Sequence, residues 1–237
     1  EKDVEGLPEG TKEQAKATAK EKGKEDKYAF TLHFPSMYPF LQYCQNRELR
    51  KEIYFANAKK SVDGEFSNQD IIKDTLMLRE ERAKLLGYEN HAEFVLEKRM
   101  AKNPKTVMDF LNNILEKAKP AAKKDFESLK ETMREDIGTD NLQKFDAAFY
   151  TEKLKKKALD FDDEVLRPYF KLENVIDGVF QIASKLYNLE FNAIEVPKYH
   201  TDVKVFEVKD EKGLVGLFYA DFFPRETKRS GAWMTDL

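Results

Sequence analysis

The sequence is poor in cysteine, in histidine and in long apolar runs. Cys44 stands alone, so no intramolecular disulfide can form. That favours a reducing, cytoplasmic location, with a periplasmic or exported one as the alternative. His33, His91 and His200 are the only histidines. No two of them stand at metal-ligand spacing, and His-Glu-x-x-His is absent. Neither a glycine-rich dinucleotide or phosphate loop nor a Gly-x-Ser-x-Gly elbow occurs. No apolar run reaches the roughly 18 residues a membrane-spanning helix needs. The opening Glu-Lys-Asp-Val-Glu-Gly lacks the pattern of a secretory leader. There is no basic excess either: 41 Lys and Arg face 44 Asp and Glu, a formal net charge of −3. Nucleic acid and membrane are therefore not expected partners.

What is present reads as mainly α. Hydrophobic residues make up 41% and charged residues 36% of the 237, enough for a solvated globular chain. Helix starts are marked by Thr11, Asn46, Ser67, Asn90, Asn103-Pro104, Asp146, Asp162 or Asp163, and Glu173 or Asn174, and stops by Gly23, Gly87 and Gly138. A helix over 67–86 carries an apolar stripe that includes Leu76 and Leu86, both expected to be buried. The 3.6-residue period of Val107, Phe110, Leu111, Ile114, Leu115 and Ala118 predicts another helix. Pro120 is expected to break it from a following helix over 121–137. The last long helix should turn Val175, Ile176, Val179, Phe180, Ala183 and Leu186 inward. No linker marks a boundary, so residues 1–237 read as one helical region.

Residues 199–237 differ. Val203, Val205, Phe206, Val208, Val215, Phe218 and Tyr219 carry a β signature around the turn Asp210–Gly213. A hairpin of about 203–208 and 214–219 follows, with Val203, Val205 and Phe218 expected on one face. An isolated hairpin is marginal in water, so it must dock or gain strands. Left open, it is expected either to self-associate through residues near 214–234 or to leave Pro224 to Leu237 disordered.

The chemistry-bearing residues invite modest readings. Cys44 reads as structural, His91 as a surface or capping residue, and His33 as packed or at an edge. His200 and Asp202 read as a loop pair. Lys155–Lys157 is a solvated helix end. Asp221 and Arg225, four apart after a strand, read as a pair that pins the turn. By inventory alone the chain is a helical protein without a visible active site, and a non-catalytic helical module binding peptides or a protein is one reading of it.

The order of several segments says more. Tyr-His-Thr-Asp-Val-Lys-Val-Phe-Glu-Val (199–208) and Gly-Leu-Phe-Tyr-Ala-Asp-Phe-Phe-Pro-Arg-Glu-Thr-Lys-Arg-Ser-Gly-Ala-Trp-Met (216–234) resemble the thimet-oligopeptidase family of zinc metallopeptidases. So do Asn-Arg-Glu-Leu-Arg-Lys (46–51), Leu-Arg-Glu-Glu-Arg-Ala-Lys-Leu-Leu-Gly-Tyr (78–88), Lys-Arg-Met-Ala-Lys-Asn-Pro (98–104), Asp-Ala-Ala-Phe-Tyr-Thr-Glu-Lys-Leu (146–154) and Leu-Arg-Pro-Tyr-Phe-Lys-Leu (166–172). Asp-Phe-Phe-x-Arg with Gly-Ala-Trp-Met resembles the bacterial peptidyl-dipeptidase branch. The resemblance implies a mainly α, zincin-like peptidase with a cleft, which as a full-length enzyme would release C-terminal dipeptides from oligopeptides. It implies zinc held by a His-Glu-x-x-His helix and a later Glu, all after Leu237. The 237 residues are therefore expected to be a partial peptidase domain, without catalytic or metal-binding residues and inactive alone. Asp221, Arg225 and Lys228 match family positions. Gly231, Ala232 and Trp233 are the candidate substrate-binding residues, a small-residue stretch along which a peptide backbone could pair.

Overall fold

The structure, a computed structural model, describes residues 2–228, 231 and 233–235. It divides into two compact units, residues 1–32 with 36–159 and residues 33–35 with 160–237.

The first unit is helical. Its elements are α1 (Glu9–Glu21), α2 (Phe34–Tyr43), α3 (Arg47–Ala58), α4 (Gln69–Leu85), α5 (His91–Leu96), α6 (Pro104–Ile137) and α7 (Ala147–Leu159). The asparagines act as caps. Asn46 accepts from the N–H groups of Glu48 and Leu49, Asn90 from that of Glu93, and Asn103 from that of Thr106. Gly138 closes α6 at φ 75°, a left-handed conformation that glycine reaches without a Cβ clash.

Two clusters form its core. Val4, Leu7, Phe40 and Cys44 pack with Tyr28, Phe30, Tyr43, Leu49 and Ile53 around them. Met133, Phe149 and Tyr150 pack with Leu129 and Leu142. Cys44 is fully buried, and burial pushes its thiol pKa up, so it is structural and poorly nucleophilic. Asp146 joins α3 to the start of α7. It is 0% exposed, 2.7 Å from Arg47 Nη2 and 3.1 Å from Arg50 Nη2. Arg50 also donates to the Cys44 carbonyl at 2.7 Å and lies 4.0 Å from the Phe149 ring centroid. Burial pushes the Asp146 carboxyl up, but Arg47, the Gln143 N–H and Arg50 outweigh it and hold the pKa low. Burial and the nearby Asp136 push Tyr150 up to about 12.

The second unit pairs a helix with a small sheet. A 3-10 turn at Asp163–Tyr169 leads to α8 (Leu172–Tyr187). The strands β1 (Glu190–Ala193), β2 (Lys204–Asp210) and β3 (Gly213–Ala220) follow, antiparallel in the order β1-β2-β3. Ile176, Phe206 and Ala220 form its core with Leu172 and Phe180 against them. Phe180 stacks on Phe191 with centroids 4.2 Å apart and meets Phe206 edge-on at 4.8 Å.

The mainly α expectation and the hairpin both hold, and β1 makes the hairpin a three-stranded sheet. Several details are corrected. Val205 pairs with Tyr219 and Phe206 with Phe218, so Phe218 shares a face with Phe206 rather than with Val205. Counted from the turn, where Asp210 pairs with Gly213, Val205 would meet Phe218; the bulge at Val215 shifts the register by one residue and exchanges the faces. Pro120 does not break α6, a single helix of 34 residues. Its surroundings are exposed, so the Glu116 carbonyl left without a donor can turn to water. The expected burial of Leu76 and Leu86 is overturned: they are 59% and 55% exposed, and only Ala83 of that stripe is buried. Opposite α4 stands α5, whose six residues can cover only its last turns. On α8, Val175, Val179 and Leu186 are exposed while Leu172, Ile176 and Phe180 meet the sheet. A helix apolar around most of its circumference does not reveal which side docks. His91 opens α5, as expected of a residue at the helix start, and is half-buried, 6.3 Å from the Phe94 ring.

Candidate functional site

The candidate site is the segment that leaves β3. Ala220 is buried, and the strand ends there. Asp221 and Arg225 form a two-pronged ion pair, with Arg225 Nη1 donating to Oδ1 at 2.9 Å and Nη2 to Oδ2. Lys228 Nζ is 2.9 Å from Oδ1 and donates to the Asp221 carbonyl at 3.0 Å and to the Phe223 carbonyl. The Tyr199 hydroxyl donates to Oδ2 at 3.2 Å. The side chains of Asp221 and Arg225 are 12% and 19% exposed. Arg225 first, then Lys228, holds the Asp221 carboxyl well below the usual range, while desolvation and Asp221 push Tyr199 up.

A carboxylate with both oxygens taken and its pKa so depressed is a poor base and a poor metal ligand. The cluster closes the loop 221–228 on itself, which is the turn-pinning role expected of Asp221 and Arg225. Tyr199 escaped the sequence analysis. Its signal was the hairpin register: pairing Lys204 with Ala220 brings the loop before β2 to the end of β3.

The structure places Gly231 and Trp233 just past this loop, neither of them in a strand, and Ala232 lies outside the described residues. Gly231 has φ 114°, and a Cβ built on it would meet nothing within 4 Å. Backbone conformation, not crowding, requires glycine there. Trp233 is 69% exposed, so it does not fill a core in this chain. Among the described residues, cavities are found in both units. One of about 640 Å³ in the first unit is lined by Val4, Tyr28, Phe30, Phe40 and Ile53. One of about 480 Å³ in the second runs past Ile176, Asp177, Lys198, Asp202 and Phe223.

The segment order from Phe40 onward agrees with comparison to known proteins, since residues 40–237 match peptidase family M3. The chain belongs to this family. It is 40% identical over 245 residues to oligopeptidase A of Haemophilus influenzae, covering 100% of this chain and 36% of that protein. It is 38% identical over 243 residues to oligopeptidase A of Escherichia coli, with the same coverage. To dipeptidyl carboxypeptidase of Escherichia coli it is 32% identical over 224 residues, covering 93% of this chain and 33% of that protein. The chain thus spans about a third of the length of the curated relatives it matches.

Membership of family M3 raises the question of zinc. Among the described residues no group of three or more His, Cys, Asp or Glu could hold a metal ion. His200 Nδ1 accepts the Asp202 N–H at 3.2 Å, which makes the two the loop pair expected of them. These residues do not fit a zinc centre. Among the described residues, moreover, no helix is long and apolar enough to cross a membrane.

Proposed function

We propose that these 237 residues are part of the peptidase domain of a longer M3 metallopeptidase that hydrolyses oligopeptides. The observation that carries this reading is the match of residues 40–237 to the family, supported by 40% identity across the whole chain to a protein named oligopeptidase A. Both compact units would belong to that one domain. The zinc that the family implies would be held by residues outside this stretch. Gly231, Ala232 and Trp233 would lie along the substrate backbone, presented by the loop that Asp221, Arg225 and Lys228 close. Soluble oligopeptides would be the partners, in the cytoplasm.

The product pattern is the finer question. Asp-Phe-Phe-x-Arg with Gly-Ala-Trp-Met favours stepwise release of C-terminal dipeptides, whereas the higher identity to oligopeptidase A favours an oligopeptidase without that restriction. The longer gene product, loaded with zinc, should be given peptides of about ten residues and the products read by mass spectrometry against time. A ladder of successive dipeptide losses supports the first reading and other fragments the second. No cleavage of any peptide by the zinc-loaded protein overturns the proposal and leaves a non-catalytic peptide-binding module.

A further inference from the structure

We infer that Tyr199 is a positioning residue for peptide binding: its hydroxyl ties the loop 221–228, and with it the stretch at Gly231 and Trp233, to the body of the second unit. The inference rests on the reading of that stretch as substrate-binding. Of the four groups in the cluster, Asp221, Arg225 and Lys228 lie within the loop itself. They close it, but a closed loop that leaves the sheet at Ala220 can still turn about that junction. Tyr199 comes from outside, 22 residues earlier in the sequence, and donates to Asp221 Oδ2 at 3.2 Å. Asp221 is the hub, so one hydroxyl reaches Arg225 and Lys228 through one carboxylate.

The backbone that carries Tyr199 is itself held. The Val203 N–H donates to the His200 carbonyl at 3.2 Å and the Asp202 N–H to His200 Nδ1 at 3.2 Å. That turn ends on Val203, which is buried, and Lys204 then enters β2 opposite Ala220. Apolar packing seats the loop only loosely by comparison. Phe222 and Phe223 are 46% and 47% exposed. Phe223 and Ile176 both line the cavity of about 480 Å³, so the loop is not packed flush on α8. Tyr199 is 69% exposed, so it contributes its hydroxyl rather than core packing. Without that hydroxyl a peptide must order the loop as it binds, at a cost in affinity. The cost falls on substrate and transition state alike, since both lie along the same stretch, so it raises KM and leaves kcat in place.

The test uses the longer gene product loaded with zinc. Tyr199→Phe removes the hydroxyl and keeps the ring and the contacts of Arg225 and Lys228. Affinity for a fluorescently labelled peptide, read by stopped-flow anisotropy before turnover, should weaken about three- to tenfold. KM should rise by the same factor, with kcat changed less than about twofold. In an Asp221→Ala background the same substitution should add nothing, because Tyr199 acts through that carboxylate. Should Asp221→Ala fail to fold, the single variant still decides. Unchanged affinity overturns the inference. So does a fall in kcat with KM unchanged, which is the mark of lost folded protein. An undiminished effect of Tyr199→Phe beside Asp221→Ala also overturns it, since the hydroxyl would then meet the peptide itself. A wild type that binds the peptide and never cleaves it overturns the peptidase reading instead, and the affinities still decide the role of Tyr199. A wild type that binds no peptide overturns both.

Discussion

Asp146 and Asp221 are both held by two cations, yet they do different work because one is sealed from water. Removing Asp146 would leave the 1%-exposed Arg50 and its neighbour Arg47 without their counter-ion. Asp146→Ala should therefore cost about 3–5 kcal/mol in urea unfolding. A loss below about 1 kcal/mol would mean that water replaces the carboxylate. Asp221 sits at the surface, and its effect is one of pH. Its folded pKa is depressed by Arg225 and Lys228. Its stabilisation of the loop is thus fully present above the ordinary value of about 4, and is lost only as pH falls through the lower folded value. A carboxyl-carbon NMR titration should place the Asp221 midpoint below that ordinary value, and Arg225→Ala should move it up. A wild-type midpoint near 4 would contradict the ion-pair geometry.

At the scale of elements, burial decides which apolar residues matter. Met133 is fully buried between α6 and α7, so Met133→Ala should cost about 2–5 kcal/mol. Leu76→Ala on the exposed face of α4 should cost less than about 0.5 kcal/mol in the same chain. A large loss at Leu76 would show that the α4 stripe is covered in solution. Leu76 and Leu86 also mark how far sequence can be read. Caps are local: Asn46, Asn90, Asn103 and Asp162 each accept the backbone N–H that their spacing predicts. The hairpin turn is local as well. Which side of a helix is covered depends on what stands opposite, and no window around Leu76 or Val179 contains that information. Pro120 shows the same limit from another direction, since its cost is local but its tolerance comes from neighbouring backbone that is free to hydrate.

For the whole molecule, the family was legible because segments from Asn46 to Met234 keep one order. The candidate site was legible only in part. Asp221 and Arg225 are four apart, and their pairing could be read from spacing. Lys228 and Tyr199 join them through a loop closure and a strand register that are long-range facts. The metal question has a direct test: after dialysis, elemental analysis of the 237-residue chain should find no stoichiometric zinc. One tightly held zinc per chain would make ligands of histidines given structural places here.

The length of α6 has its own consequence for the order in which the molecule opens. A helix of 34 residues extends about 50 Å, yet its buried side chains, Thr132 and Met133, are confined to the C-terminal third. Pro120 removes one rung of the ladder near the middle. Geometrically α6 is one rod, but cohesion is concentrated at one end of it. The stretch 104–119 should melt without the rest, with Pro120 as the boundary. A trace of protease under native conditions would then make its first cut inside α6, between the cap at Asn103 and Pro120, well before either core cluster opens.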